Sequence, residues 1–135
     1  MKVPNLLDTN VASYIIKGNI PSLDRWLAKV PVADVFISTV TEAELRYGVA
    51  RLFDAKQIET LVEEFLLTVT ILPWDSEAAK QYEWLRATLE RAGRPMANLD
   101  MMIGAHALAA GAVLVTNDRA FTRIKNLKVA DWRKA

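Results

Sequence analysis

Two apolar runs of this chain end in a carboxylate beside threonine and asparagine: Leu6-Leu7-Asp8-Thr9-Asn10 near one end and Leu114-Val115-Thr116-Asn117-Asp118 near the other. Two further acids invite a role. Glu44 stands at the start of a helical pattern, three residues after Thr41, and Asp100 interrupts a strongly apolar segment, with Gly104 one turn on to leave space above it. Carboxylates gathered within several ångströms repel one another, and some pKa values rise unless a cation is present. A divalent ion resolves the conflict. Mg²⁺ takes octahedral oxygen ligands, keeps several waters, needs only one or two carboxylates, and can orient water against a phosphodiester. Thr9, Asn10, Thr116 and Asn117 could then hold the acids or bound waters by hydrogen bonds. Taken singly, each acid also has an ordinary explanation: Asp8 and Asp118 as caps or loop acids, Glu44 as the partner of Thr41 in a capping box, Asp100 as a charge favoured by its helix dipole.

Whether the acids meet depends on the elements that carry them. Asn5 to Leu7, Val35 to Ile37, Thr68 to Leu72 and Ala112 to Thr116 read as short strands, separated by amphipathic stretches of ten or more residues, a pattern that predicts an α/β fold with a parallel sheet wrapped by helices. Pro4 places the start of the first strand just after it. Thr41-Glu42-Ala43-Glu44 and Asp54-Ala55-Lys56-Gln57 have capping-box spacing, and Gly93 and Gly111 sit where helices end. From about Ser76 to Ala92, Ala78, Tyr82, Leu85 and Leu89 form one apolar stripe, with Lys80, Glu83, Arg86 and Glu90 facing away. A last helix is predicted over Leu99 to Ala110. In an open parallel α/β sheet, ligands bind beyond the carboxyl ends of the strands, where the strand order reverses. Asp8 ends the first strand, Asp118 follows a later one, and Glu44 and Asp100 fall in first turns of helices, so all four can share one crevice.

The 135 residues fit a single domain spanning 1–135, and 52% hydrophobic with 24% charged residues is a globular composition. The absence of cysteine excludes disulfides, zinc fingers and thiolate catalysis. A metal must therefore use oxygen ligands or the single histidine, His106. That residue lies six positions after Asp100, about 240° around the helix, and reads as a core or interface histidine. A metal-free mechanism with two histidines is unavailable. No apolar run reaches the ~18 residues of a membrane span, and Met1-Lys2-Val3-Pro4 lacks the longer apolar core of a signal peptide, so the expected address is the cytoplasm. The net charge of +1 is uneven: residues 119–135 carry six Lys or Arg against one Asp, while 54–64 carry four acids and one Lys. A basic end can meet phosphate, although a solvated face is the plainer explanation. Trp26, Trp74, Trp84 and Trp132 read as packing residues.

The segments "LLDTNVAS", "ISTVTEAELRYGVA", "GRPMANLDMMIGAHALAAGAVLVTND" and "VADW" resemble PIN-domain ribonucleases of the VapC toxin group, in the same order and over nearly the whole chain. The resemblance implies a PIN-like three-layer α/β/α sandwich around a central parallel sheet, and a Mg²⁺- or Mn²⁺-dependent endoribonuclease. Its catalytic acids fall on Asp8, Glu44, Asp100 and Asp118, with Asp8, Asp100 and Asp118 binding the metal and Glu44 holding or deprotonating the attacking water. Glu42 points roughly 160° away from Glu44 on the same helix and is left out. Many relatives carry an additional acid before the phenylalanine of the last motif, where this chain has Ala120 before Phe121; that weakens the case for a second tightly held ion.

The implied substrate is RNA, with transfer RNA and its initiator species as candidates. Arg46, Arg119, Arg123 and Lys125 are candidate phosphate contacts, although Arg46 could equally pair with a neighbouring acid. The implied partners are a VapB-type antitoxin, a second copy in a homodimer, and a higher hetero-oligomer that meets DNA only through the antitoxin, with no membrane. Three alternatives remain open: a housekeeping RNA-processing nuclease with the same site, a non-catalytic binding module, and a haloacid dehalogenase-type phosphatase. The last needs a second Asp where this chain has Asn10.

Overall fold

In the computed structural model, which describes residues 3–134, the alternation of apolar runs and amphipathic stretches resolves into five short parallel strands with helices between them. Met1, Lys2 and Ala135, the ends of the single-domain span and the start of the signal-peptide reading, lie outside the described residues. In chain order the elements are β1 (Asn5–Leu7), α1 (Thr9–Lys17), α2 (Pro21–Lys29), β2 (Val35–Ser38), α3 (Thr39–Ala50), α4 (Lys56–Thr68), β3 (Thr70–Leu72), α5 (Ser76–Arg91), α6 (Asn98–Ala110), β4 (Val113–Val115) and β5 (Lys128–Ala130). One-turn 3₁₀ segments precede β2 and follow β4, the second covering Arg119–Arg123.

The strands are ordered β3-β2-β1-β4-β5 and all pairs are parallel, with Leu6 opposite Leu114 and Leu7 opposite Val115. Successive strand residues face opposite sides of a sheet, and each side is capped by helices. Leu6 and Leu114 join Leu85 and Leu89 of α5, Met101 and Ile103 of α6, and Phe121 in one layer. Leu7, Ile37 and Val115 join Val11 of α1, Leu23 of α2, Leu45 of α3, Val62 of α4 and Trp132 in the other. The result is the α/β/α sandwich expected. From β1 the chain steps outward through β2 to β3, then crosses back to β4 and β5, so the strand order reverses between β1 and β4. A crevice opens at that reversal, and the two acidic motifs are the sequences leaving those two strands.

Several boundaries differ from expectation, each for a local reason. Thr68 ends α4 rather than opening β3, and its hydroxyl donates back to Glu64 O at 2.9 Å. β5 is an edge strand of only three residues with no apolar run to announce it. α3 begins at Thr39 because Ser38 is its cap, accepting from Val40 N at 3.0 Å. Thr41 is therefore a fully buried helical residue, and Glu44 sits in the second turn rather than the first. Asp54 forms no capping box: it occupies the left-handed region at φ 52, and α4 starts after Ala55 without a side-chain cap. Gly111 does end α6 in the left-handed conformation, at φ 62. Gly104 does not leave space above Asp100. A Cβ there would lie 2.7 Å from Ile124 Cδ1, so the glycine lets α6 press against the segment following β4.

Candidate active site

The two threonine-bearing motifs grip the acids in complementary ways. Asp8 leaves β1, whose register with β4 is extended by Asp8 N donating to Val115 O at 3.0 Å, and then caps α1. Its Oδ1 accepts from Val11 N at 2.8 Å, and its Oδ2 accepts from the Thr116 hydroxyl. With its one proton committed to Asp8, Thr116 Oγ1 accepts from Asp118 N at 3.0 Å. One side chain thus ties the carboxylate leaving β1 to the backbone of the acid beyond β4. Asp118 Oδ1 accepts from Ala120 N at 2.9 Å and caps the 3₁₀ turn. Across the crevice, Thr9 donates to Glu44 Oε1 at 2.6 Å and lies 3.1 Å from Thr41 Oγ1. Because the Thr9 proton goes to the carboxylate, Thr41 is the donor in that second contact.

Electrostatics shows that the four acids share one field. Asp8 is 3% exposed, and burial raises its pKa from an ordinary 3.8 to about 6. The hydrogen bonds from Thr116 and Val11 pull the other way, while Asp100 and Asp118 push it further up. Half-buried Asp100, in the first turn of α6, is also raised, chiefly by burial and then by Asp118 and Glu44. Strands β1 and β4 and helices α3 and α6 therefore bring together Asp8, Glu44, Asp100 and Asp118, residues up to 110 positions apart.

The donor set suits a hard cation: it is all oxygen, it carries excess negative charge, and its most buried member is held off its ordinary ionisation. Among the described residues no three acids or histidines converge on one point. An ion that keeps several waters needs only one or two direct carboxylates, so the arrangement fits Mg²⁺-like coordination rather than an all-protein cage.

The other expected residues divide. Thr9 and Thr116 hold acids, as anticipated. Asn10 is exposed on α1 and lines a groove with Thr9, Ser13 and Glu44. Asn117 turns away from the acids: with its amide oxygen toward Arg133 it accepts from Nη1 and Nη2 at 3.1 and 3.3 Å. Arg46 pairs with Glu42 at 3.0 Å and Glu63 at 2.7 Å, so its charge is already matched on the surface. Arg119, Arg123 and Lys125 are exposed, and Arg119 borders a groove beside Asp118. His106 is a core histidine, its Nδ1 2.8 Å from Ser38 Oγ; burial lowers its pKa against a smaller opposing effect of Asp75. Trp26 stacks on Trp132 and Trp74 Nε1 donates to Met102 O, while Trp84 is exposed on α5.

Three participants escaped the sequence. Thr41 was disguised by capping-box spacing, Ser38 by its place at the end of a strand, and Arg133 by its distance along the chain from Asp8, Glu44, Asp100 and Asp118. The second asparagine, in T-N-D, was the available signal for Arg133.

Residues 6–127 match the PIN domain family. The chain is 35% identical over 128 residues to the tRNA(fMet)-specific endonuclease VapC of Shigella flexneri, covering 94% of this chain and 96% of that protein. It is 34% identical over 131 residues to ribonuclease VapC2 of Rickettsia felis, covering 96% and 98%. Among solved structures it resembles the DNA-bound VapBC of Salmonella typhimurium, with a TM-score of 0.90, 32% identity and coverage of 97% and 99%. It also resembles VapBC2 of Rickettsia felis bound to a promoter DNA fragment, with a TM-score of 0.88, 32% identity and coverage of 95% and 98%.

Proposed function

This chain belongs to the PIN-domain family, and from that premise we propose that it is the toxin of a type II toxin–antitoxin pair, a metal-dependent endoribonuclease of the VapC type acting on RNA. Transfer RNA is the proposed substrate, with the initiator species the first candidate, and the loss of that RNA would inhibit translation. The observation that carries the proposal is that four carboxylates share one electrostatic field where the strand order reverses, one of them buried and pushed up to about 6.

Asp8, Asp100 and Asp118 would hold a Mg²⁺ or Mn²⁺ ion, directly or through water. When bound, the ion supplies charge for the phosphate's developing negative oxygens and lowers the pKa of water. The protein's part is geometric. Thr116 and Val11 N fix both oxygens of Asp8, so its rotamer is set before any substrate arrives. Thr9 fixes Glu44 through Oε1, leaving Oε2 to orient the attacking water and take its proton. Cleavage of the phosphodiester then leaves a 5′ phosphate and a 3′ hydroxyl.

The proposed partner is a VapB-type antitoxin, through which the assembly meets DNA. Tyr47, Leu52, Phe53 and Leu67 are exposed on α3, α4 and the turn between them, apolar side chains of the kind that partner chains cover. A homodimer and a larger complex with antitoxin are proposed on that ground, with the chain as one domain across 1–135. Among the described residues no helix is long and apolar enough to cross a membrane.

The test is purified protein, free of partner, incubated with total transfer RNA in Mg²⁺ or Mn²⁺ and in EDTA. Discrete metal-dependent fragments are expected from the parent, and at least about a hundredfold slower cleavage from folded Asp100→Asn. Undiminished cleavage by that variant, or equal cleavage in EDTA, would overturn the proposal.

A further inference from the structure

The acidic crevice poses a problem for a polyanionic substrate: an RNA strand must approach four carboxylates. A cation held rigidly at the rim offsets part of that repulsion, and the basic C-terminal segment supplies one. β5 pairs with β4, and Thr116 N continues the ladder by donating to Ala130 O at 3.0 Å, which sets the segment after β5 beside the T-N-D motif. Asp131 Oδ1 accepts from Arg133 N at 2.9 Å and turns the chain. Trp132 is buried at 3% exposure and stacks on Trp26, with ring centroids 5.7 Å apart and planes 7° from parallel. Trp26 Nε1 in turn donates to Lys134 O at 3.2 Å. The backbone on both sides of Arg133 is therefore anchored.

Its side chain is anchored too. Asn117 accepts from both Nη atoms, and Nε lies 3.7 Å from Asp131 Oδ1. A guanidinium carries five N–H donors, and these contacts engage at most three. The outward N–H of each Nη remains, the two directed to opposite sides of the guanidinium, on a side chain 44% exposed, and either one can donate to a phosphate oxygen. It lines an open groove of about 440 Å³ that it shares with Asp118, Arg119 and Lys134. The groove is thus continuous with the acid cluster at one wall and basic at the other. As a structural brace the contact contributes little, because exposed ion pairs are screened.

We propose that this groove is a subsite for the RNA strand flanking the scissile bond, with Arg133 donating to a backbone phosphate and Asn117 acting as its positioning residue. The proposal rests on the ribonuclease function above. It explains why the second motif carries asparagine as well as threonine: Thr116 positions an acid, and Asn117 positions a cation. Pre-positioning limits the side-chain entropy lost on binding. An acidic peptide would meet the same cations but would gain nothing from lying alongside Asp118, whereas a nucleic-acid strand must pass there to be cut.

The experiment uses the full chain and initiator transfer RNA as probe. Binding is measured with Asp8→Asn, which blocks cleavage, across a salt series, and cleavage is measured with the parent, Arg133→Ala, Arg133→Lys and Asn117→Ala. Arg133→Ala should raise KM about tenfold with a much smaller change in kcat, and should reduce the slope of log affinity against log salt by about 0.7. Arg133→Lys should recover part of the loss. Asn117→Ala should raise KM less, and in combination with Arg133→Ala should add nothing, because it acts through that arginine. Tryptophan fluorescence, compared with that of a Trp132→Phe variant to isolate the stacked pair, reports whether each variant keeps the anchored segment. A parent that cuts while Arg133→Ala keeps its KM and salt slope would overturn the subsite alone, as would an Arg133→Ala effect confined to binding of an acidic peptide. A parent that neither binds nor cuts any RNA would overturn the function on which the subsite rests.

Discussion

Replacing Asp8 by asparagine should make the metal-free protein more stable, not less. A carboxyl whose pKa is 3.8 unfolded and about 6 folded costs about 3 kcal/mol of folding free energy at neutral pH, at 1.36 kcal/mol per pH unit. The sign follows from proton binding: the folded state holds the proton more tightly, so the cost is absent below about pH 4, grows between about 4 and 6, and is constant above. Asn removes the charge and keeps an oxygen for Val11 N. It loses the proton donated by Thr116 to Oδ2, and the rearranged hydroxyl sacrifices about 1 kcal/mol. The net gain at pH 7 in EDTA is then about 2 kcal/mol, or roughly 6–8 °C in Tm for a chain of this size. Thermal unfolding of the parent and Asp8→Asn from pH 3.5 to 7.5 checks it, with the difference expected to vanish at the acid end. Mg²⁺ at ten times its Kd should return about 1.4 kcal/mol to the parent and much less to the variant. An Asp8→Asn protein less stable than the parent at pH 7 in EDTA, or a stability difference that does not change with pH, would refute the assignment of Asp8 as a carboxylate held charged against its environment.

Further outcomes follow from neighbouring contacts. Thr116→Val removes the donor that restrains the Asp8 pKa, so Mg²⁺ affinity, measured by calorimetry against pH, should begin to fall at a higher pH than in the parent. Ser38→Ala strips the α3 cap and leaves His106 Nδ1 without its partner; urea denaturation should show a loss of about 2–3 kcal/mol. Gly104→Val forces a side chain into Ile124, whose Cδ1 would already lie 2.7 Å from an added Cβ, and should destabilise by about 1–3 kcal/mol. Gly48→Ala, where nothing lies within 4 Å of the added Cβ, should instead gain up to about 1 kcal/mol from helix propensity.

The sequence by itself determined the class of fold and singled out four acids that the structure places within one electrostatic field. Short apolar runs followed by amphipathic stretches can bury both faces of a strand only in a parallel sheet with helices on either side, and Leu6-Leu7 and Leu114-Val115 do so by sending alternate side chains to opposite layers. Where spacing was misread, a long-range contact had overridden a local signal. Thr41-x-x-Glu44 has the spacing of a cap, but Ser38 starts the helix and Thr41 is buried to meet Thr9. Gly104 looked like room above Asp100 and is occupied by Ile124. The tertiary structure alone decided which partners the two asparagines and the arginines take. Arg46 is matched by Glu63, 17 residues on, and Arg133 is gripped by Asn117 because β5, a strand too short to be legible, lies against β4. Periodicity records which face of an element is buried, since burial acts on every residue of a stripe. A hydrogen bond between two side chains depends on one distance between two elements, and no spacing within either element encodes it.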